Sequence, residues 1–415
     1  MTRSPVWHPF TQHGLQEPIP MVERAEGASL YTTDGRRIVD AISSWWVVTH
    51  GHRHPRITSA IADQAQKLDH MIFAGWTHEP AETLARDLVS LTGLPYAFFS
   101  DSGSTCVEVA LKMALGYWAH RGDNRHRIIV MQHSYHGDTI GTMSVGERGV
   151  YNAAYAPLLF DVGLVPFPHH GAEQATYDAL EAHCRAGAAA FIVEPLILGA
   201  GGMLIYPPHV LAEMARICAA HGVLLIADEV MTGWGRTGPL LACEQAGVSP
   251  DILCLAKGIT GGSIPLAVTM ASEAVYDAHY STDRAKTFYH SSSYTANPIA
   301  CAAAVANIAI WREEPVAERI ATLAQRQAEG AARLAQVSGI ENVRQCGTIL
   351  ALDYAVGQGG YLSALQPRLL AFFRERDLLV RPLGNTAYLL PPYGISAEDL
   401  ARLHIALAEA ATLVK

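Results

Sequence analysis

The sequence lacks basic clusters and carries little charge overall. Charged residues make up 17% of its 415 residues, and the formal net charge is −9 when histidine is counted as neutral. Proteins that bind nucleic acid or anionic membranes without sequence preference need clustered lysine and arginine. The composition therefore argues against nucleic acid and against a membrane as partners.

Long apolar runs and paired cysteines are also missing. The first nine residues hold no apolar core of the kind found in signal peptides, and no segment approaches the roughly 18 uninterrupted apolar residues of a membrane span. The seven cysteines are scattered without a C-x-x-C pair, a distribution typical of reduced thiols in a protein core. These features predict a cytoplasmic protein.

Three motifs suggest other chemistries but lack the residues those chemistries need. His50, His52 and His54 alternate, yet no carboxylate or cysteine stands at ligand spacing, so no metal site is predicted. Residues 233–238 fit the G-x-G-x-x-G spacing, but a proline follows and no strand-ending acid comes about 20 residues later, which disfavours dinucleotide binding. A G-x-S-x-G nucleophile elbow is absent, so serine hydrolase chemistry has no support.

What the sequence does contain is an alternation of strands and helices. Hydrophobic residues reach 50%, enough for a large core and more than one domain. The βα pattern over residues 56–309 predicts a large α/β domain with a mostly parallel sheet. From residue 310 to 415 the pattern changes to a smaller α+β domain, and residues 1–55 are predicted to join that smaller domain.

Two apolar runs end in residues of opposite charge. Residues 222–230 read as a buried strand that delivers Asp228 to its carboxyl end, and residues 250–258 read as another that ends at Lys257. Ligands of open α/β sheets bind outside the carboxyl ends of the strands. A lysine that forms a Schiff base and an aspartate beside a pyridinium nitrogen are what a protein needs to hold pyridoxal phosphate. Either residue alone would more often be a solvated residue at a strand end.

Two further segments belong to the same predicted edge of the sheet. Residues 100–105, including Gly103 and Ser104, fall between a strand and a helix, where exposed amides and the helix dipole favour a phosphate group. The alternative interpretation is an ordinary helix N-cap. Tyr135 follows the strand at 127–131 and supplies an aromatic ring that can stack on a flat cofactor, while Glu194 ends another strand there.

These motifs together resemble the class III pyridoxal-phosphate aminotransferases. The resemblance rests on residues 228–238, on Pro250 and Asp251, and on residues 257–262. It implies fold type I, a homodimer whose active sites lie at the interface, and Lys257 as the lysine that binds pyridoxal 5′-phosphate. It also implies that Ser292 and Ser293 reach the phosphate bound by the neighbouring subunit.

Four features resemble one branch of this class, which transfers an amino group from S-adenosylmethionine to 8-amino-7-oxononanoate in biotin synthesis. They are residues 7–12, 44–46, 135–138 and 381–384. The resemblance implies a substrate site whose members are Trp45, Tyr135, Arg236, Ser291, Arg381, Phe10 and Tyr388. Arg381 is expected to pair with the substrate carboxylate, because a guanidinium matches a planar carboxylate with two parallel hydrogen bonds.

The chain departs from the best-known members of this branch at a few positions. Phe10 replaces a tyrosine, Leu198 replaces a glutamine that many class III members carry, and three serines beginning at Ser291 replace Gly-Pro-Thr. Trp45 and Tyr388 favour S-adenosylmethionine as amino donor, whereas Phe10 leaves lysine open as the donor. Another class III ω-amino acid transaminase and a cofactor-free binding protein are the alternative functions.

The expected mechanism assigns catalytic roles to three residues. Asp228 keeps the pyridine nitrogen protonated, because a nearby carboxylate favours the charged form. Lys257 removes the α-proton of the donor and returns it to the cofactor, first as general base and then as general acid. Tyr135 is the third catalytic residue. One site that accepts two unlike substrates in turn predicts ping-pong kinetics.

Overall fold

The computed structural model describes residues 4–357 and 359–414, and a seven-stranded sheet forms the centre of this part of the chain. The spatial order of its strands is Tyr96–Ser100, Ala267–Ala271, Ile252–Leu255, Leu224–Asp228, Ala190–Val193, Ile128–Met131 and Gly163–Val165. Five neighbouring strands, from Ile252–Leu255 to Gly163–Val165, run parallel to each other, and Ala267–Ala271 runs antiparallel to both of its neighbours. The α/β class and the mostly parallel sheet are therefore confirmed.

The strands of this sheet are buried because helices cover both of its faces. Every residue of the strands Ile128–Met131, Ala190–Val193, Leu224–Asp228 and Ile252–Leu255 is buried. Such strands read as continuous apolar runs, since neither face meets water. Two separate clusters of buried side chains, one on each face, result from this arrangement.

The helices carry the connections between strands. Their bounds are Ser43–Trp46, Pro55–Lys67, Glu79–Thr92, Gly103–His120, Ile140–Ser144, Glu173–Arg185, Pro208–Ala220, Cys243–Ala246, Glu273–His279, Pro298–Glu313, Val316–Leu334, Leu365–Glu375 and Ala397–Ala410. Several begin with proline in the first turn, where the missing N–H removes no hydrogen bond. Among the helices of the described residues, none is both long enough and apolar enough to cross a membrane.

A second sheet joins the two ends of the chain. Its strands are Val22–Glu26, Ser29–Thr32, Arg37–Asp40 and Leu378–Leu379, in that order. Strands Ser29–Thr32 and Arg37–Asp40 form a hairpin with Gly35 in its turn, and the second strand pairs in parallel with Leu378–Leu379. A third sheet contains Ile340–Cys346, Ile349–Tyr354 and Thr386–Leu389, and the pair Ile197–Leu198 and Leu204–Ile205 forms a small hairpin.

The C-terminal sheets and helices share one hydrophobic core with part of the N-terminal segment. Val39, Ile42 and Trp46 belong to the same buried cluster as Leu350 and Leu389. This cluster is separate from the two that cover the central sheet. The residue numbers at which the domains divide stay a prediction, although the shared core supports an N-terminal segment that packs with the smaller domain.

Candidate active site

The carboxyl edge of the central sheet opens into a cavity of about 430 Å³ that contains both predicted cofactor residues. Asp228 is the last residue of its strand, and Lys257 lies just past the end of the neighbouring strand Ile252–Leu255. The two strands are adjacent and parallel, so their carboxyl ends meet at one edge. Gly103, Ser104 and Tyr135 also line this cavity.

The amine of Lys257 lies over an aromatic ring inside the cavity. Its Nζ atom is 4.7 Å from the centroid of the Trp46 ring. Burial lowers the pKa of Lys257 to about 8, while the carboxylates of Asp228 and Glu194 act in the opposite direction. A lysine in this range is neutral often enough at physiological pH to act as a nucleophile or as a general base.

A buried histidine orients the carboxylate of Asp228. The Nδ1 atom of His136 is 2.7 Å from Asp228 Oδ2, and the backbone N–H of Val230 donates to Oδ1 at 3.0 Å. The His136 side chain is fully buried, and its Nε2 atom has no hydrogen-bond partner among the described residues. The carboxylate is thus fixed at the floor of the cavity, in a place suited to a protonated ring nitrogen.

A second buried carboxylate, that of Glu194, holds the loop that carries Tyr135. Glu194 accepts hydrogen bonds from the backbone N–H groups of Tyr135 and Gly199, each at 3.0 Å. Burial raises the pKa of Glu194 to about 7. Burial also raises the pKa of Tyr135, next to Asp138, so its phenol stays protonated at neutral pH. Glu194 therefore determines where the Tyr135 ring stands at the cavity wall.

The start of helix Gly103–His120 provides a cradle for an anion. Ser102 and Thr105 form a capping box, and the first N–H groups of a helix have no partner inside it. A Cβ atom at Gly103 would approach Val230 to 2.8 Å, and one at Gly137 would collide with Ser104, so both positions need glycine. Together with the Lys257 amine and the Asp228 carboxylate, this cradle fits the phosphate, aldehyde and ring nitrogen of pyridoxal phosphate.

The aromatic pair at positions 45 and 46 is held by a buried aspartate. The backbone N–H groups of Ile42 and Ser44 donate to Asp40 at 3.2 and 2.7 Å, and His52 Nε2 lies 2.8 Å from the same carboxylate. Ser44 has a φ of +59°, a strained conformation for a residue with a side chain. Asp40 stabilises this turn, which places the Trp46 ring in the cavity and leaves Trp45 exposed at 42%.

The predicted carboxylate-binding arginine lies in an aromatic group outside the deep cavity. The Cζ atom of Arg381 is 5.0 Å from the Trp45 ring centroid and 5.8 Å from that of Phe10. Phe10 also packs on Tyr151, with ring centroids 6.3 Å apart. Among the described residues no carboxylate lies within 4.0 Å of the Arg381 guanidinium, which leaves this cation available to a ligand.

Arg236 and Tyr388, two residues of the predicted substrate site, are buried beside the tryptophan segment. Arg236 is 1% exposed, and its guanidinium donates to the backbone oxygens of Pro391, Trp46 and Val48. Tyr388 is also 1% exposed, and its hydroxyl accepts a hydrogen bond from Trp46 Nε1 at 2.9 Å. Neither lines the cavity in the described part of the chain. Both residues support the tryptophan segment through these hydrogen bonds, and their predicted roles in substrate binding stay a prediction.

The three predicted serines lie on an exposed turn. Ser291 and Ser293 are exposed, and the backbone N–H of Ser292 donates to Thr295 Oγ1 at 2.9 Å. The turn does not line the cavity of its own chain, as far as the described residues extend.

His136 and Trp46 line this cavity, although the sequence analysis gives neither of them a direct role there. The sequence could have indicated both residues, since His136 follows Tyr135 and Trp46 follows Trp45.

The sequence matches a known family and its members over nearly the whole chain. The family model for class III aminotransferases matches residues 10–411. An adenosylmethionine-8-amino-7-oxononanoate aminotransferase from Synechococcus elongatus is 46% identical over 97% of this chain and 97% of its own length. A relative of the same name from Mycobacterium leprae is 36% identical over 99% of this chain and 95% of its own length.

Solved structures give the same result for the fold. The adenosylmethionine-8-amino-7-oxononanoate aminotransferase of Methanocaldococcus jannaschii superposes with a TM-score of 0.95 at 32% identity, over 99% of this chain and 97% of that one. A pyridoxal-phosphate-bound amine transaminase from an uncultivated Pseudomonas species superposes with a TM-score of 0.93 at 31% identity, over 100% of both chains.

Proposed function

Because the chain belongs to the class III aminotransferases, which use pyridoxal 5′-phosphate, we propose that it transfers an amino group from S-adenosylmethionine to 8-amino-7-oxononanoate. The product is 7,8-diaminononanoate, an intermediate of biotin synthesis. The observation that carries the proposal is the meeting of the Lys257 amine and the Asp228–His136 pair in one buried cavity. Relatives named for this reaction extend over nearly the whole chain.

The residues of the deep cavity have separate tasks. Bound pyridoxal phosphate supplies a carbonyl carbon that exchanges amines and a ring that withdraws electrons. Lys257 would hold the cofactor, and its Nζ atom would then move the α-proton of the donor. Asp228 keeps a proton on the ring nitrogen, because its buried carboxylate favours the charged form of a neighbouring base. Gly103 and Ser104 would hold the phosphate, and Tyr135 would pack against the ring.

The exposed aromatic group around Arg381 selects the acceptor. 8-Amino-7-oxononanoate is a long acid, and a carboxylate at its far end matches the Arg381 guanidinium. Trp45 and Phe10 flank that guanidinium and supply apolar contact for the methylene chain. Ser291 of a neighbouring subunit completes the proposed substrate site. The two substrates then occupy one site in turn, which gives ping-pong kinetics.

The proposed enzyme is a homodimer with shared active sites. Ile72, Trp76, Tyr289 and Tyr294 are each more than 60% exposed, and the rings of His70 and Tyr294 lie 5.0 Å apart, so the two segments adjoin. Large exposed apolar patches mark interaction surfaces. Ser292 and Ser293 lie on this same surface, where they can reach the phosphate of a partner.

Mixing two inactive variants tests the shared site. A Lys257→Ala chain and a chain with Ser292→Ala and Ser293→Ala are purified separately and then combined. One of the two sites in a mixed dimer receives Lys257 from one chain and both serines from the other, so activity should return. Lack of any recovery, with dimers confirmed by light scattering, would contradict the shared site.

A cytoplasmic location is part of the same proposal. All seven cysteines carry free thiols, and six of them are buried. Unpaired buried thiols are typical of proteins from a reducing compartment. Fractionation of the source cells, followed by activity measurements on each fraction, tests this point.

A single-turnover spectral assay tests the reaction itself. S-adenosylmethionine and lysine are added separately to the yellow enzyme, and 8-amino-7-oxononanoate follows. We expect S-adenosylmethionine to remove the visible absorbance of the cofactor and the oxo acid to restore it. If lysine alone does so, the acceptor assignment holds and the donor changes. If the oxo acid restores nothing while pyruvate does, the enzyme is an ω-amino acid transaminase and the proposed substrate is wrong.

A further inference from the structure

The turn that carries Lys257 adopts a conformation that its own residues do not favour. Lys257 has a φ of +46°, in the left-handed region that side chains with a Cβ atom rarely occupy. It begins a short 3₁₀ helix, Lys257–Thr260, which follows the strand Ile252–Leu255. Strain of this kind persists only where the surroundings hold it in place. The groups that hold this turn therefore control where the amine points.

One buried amide side chain binds the backbone directly after Lys257. Asn307, fully buried in helix Pro298–Glu313, donates from Nδ2 to the carbonyl oxygens of Gly258 and Ile259, at 3.1 and 3.0 Å. Both donors of the amide are thus used on two consecutive carbonyl groups of the turn. An aliphatic side chain of the same size would leave both carbonyls without these donors.

A histidine from the N-terminal segment fixes the orientation of Asn307. His50 Nε2 lies 2.9 Å from Asn307 Oδ1. Because Nδ2 of Asn307 donates to two carbonyls, Oδ1 is the acceptor here, and His50 carries its proton on Nε2. The His50 ring packs against Trp311 and Tyr393, with centroids 5.9 and 6.2 Å away. The histidine therefore prevents the amide from flipping.

The charge state of His50 agrees with this arrangement. Burial lowers the pKa of His50 to about 4, and the groups that act on it are His54, Glu314 and Arg319, besides Asn307. Its ring is therefore neutral at physiological pH and donates one hydrogen bond. Neutral His50 and Asn307 join the N-terminal segment and helix Pro298–Glu313 to the turn through uncharged hydrogen bonds alone.

We infer that Asn307, oriented by His50, is a positioning residue that holds the turn after Lys257 and so aims the Lys257 amine into the cavity. The inference rests on the proposed role of Lys257 as the lysine that binds the cofactor. Asn307 touches neither the cavity nor Lys257 itself within the described residues, so it acts through the backbone of Gly258 and Ile259.

The chain offers a matched control for the loss of such a pair. Gln327 is fully buried in helix Val316–Leu334, donates to Thr348 O at 3.1 Å, and accepts from His404 at 2.8 Å. This second amide–imidazole pair has the same chemistry as Asn307 with His50. It belongs to the C-terminal core, and no residue of its helix lines the cavity in the described part of the chain.

The test compares Asn307→Leu, Gln327→Leu and the wild-type holoenzyme. Borohydride reduction at timed points after pyridoxal phosphate is added, followed by mass spectrometry, measures how fast cofactor is fixed to Lys257. A pH titration of the visible absorbance gives the pKa of the bound cofactor. We expect Asn307→Leu to fix cofactor to Lys257 roughly 10- to 100-fold more slowly and to shift that pKa, since small displacements of reacting groups have effects of this size. Gln327→Leu should lose thermal stability while leaving both measurements unchanged.

Two variants of the histidine keep the test informative if Asn307→Leu does not fold. His50→Gln retains a donor toward Asn307 Oδ1 and should behave like the wild type. His50→Leu should resemble Asn307→Leu in its absorbance titration. Equal behaviour of His50→Gln and His50→Leu, or of Asn307→Leu and Gln327→Leu, would overturn the inference. If the wild type shows no reduced cofactor on Lys257, the proposed role of Lys257 fails instead.

Discussion

The deep end and the exposed end of the site are built in different ways. Lys257 and Asp228 stand at the carboxyl ends of adjacent strands, in a buried cavity of one chain. Arg381, Trp45 and Phe10 come from distant parts of the sequence and meet at a half-exposed surface. The deep end is thus fixed by sheet geometry, whereas the exposed end depends on how loops from several segments are packed.

This difference predicts that changes at the deep end abolish the reaction and that changes at the exposed end alter substrate preference.

The largest effect is expected for Lys257→Ala. This variant should bind the cofactor without a covalent bond and lose turnover by at least roughly 10,000-fold, since it removes both the attachment point and the general base. Steady-state kinetics, with exposed Lys67→Ala as control, measures the loss. Full activity of Lys257→Ala would refute the assignment of Lys257.

A smaller loss is expected when only the charge of Asp228 is removed. Asp228→Asn keeps the size of the side chain but no longer stabilises a proton on the ring nitrogen, so kcat should fall roughly 100- to 10,000-fold. Asp251→Asn is the matched control, because Asp251 precedes the strand Ile252–Leu255 and accepts from Leu225 N–H at the opposite edge of the sheet. Similar kcat values for the two variants would contradict a special role for Asp228.

The exposed end should respond through KM. Arg381→Lys keeps the positive charge but loses bidentate pairing with a carboxylate, so KM for the oxo acid should rise about tenfold while kcat changes little. Arg376→Lys, which alters an exposed arginine beside Glu409, should leave both constants unchanged. A fall in kcat without a change in KM would place Arg381 in the deep end and remove the distinction between the two ends.

The smallest effect concerns pH. Burial lowers the pKa of Lys257 to about 8, below the value of an ordinary lysine, and only the neutral amine attacks the cofactor. The rate at which apoenzyme takes up pyridoxal phosphate covalently should therefore rise about fivefold from pH 7 to pH 8 and level off above pH 9. Stopped-flow absorbance measures this rate. A rise that continues to pH 10.5 would show that burial does not tune the amine.

The same contrast explains what the sequence could predict. The strands that deliver Asp228 and Lys257 are apolar runs with a polar end, so both the fold and the central pair of the site follow from local patterns. The burial of Arg236 and Tyr388 does not follow from the sequence, because nothing local shows that their polar groups are hydrogen-bonded to Val48 O and Trp46 Nε1. Burial of this kind is decided by tertiary packing.

Sequence patterns do not predict long-range hydrogen bonds. The contact of Asn307 with Gly258 joins residues 49 positions apart, and its contact with His50 spans 257 positions. Asn307 lies within the alanine-rich helix Pro298–Glu313, where a single buried amide gives no periodic signal. The antiparallel direction of strand Ala267–Ala271 does not follow from the sequence either, since its apolar run resembles those of its parallel neighbours.

The parallel pairing of strand Arg37–Asp40 with Leu378–Leu379 sets an order of events during synthesis of the chain. Asp40 pairs with Leu379, so 379 − 40 = 339 residues must be added before this pairing can form. At translation rates of about 5–20 residues per second, that is a delay on the order of half a minute. The segment with Trp45 and Trp46 follows directly on Asp40. The ribosome therefore releases a chain whose central sheet can already be folded, while the strand before the two tryptophans pairs with its C-terminal partner last.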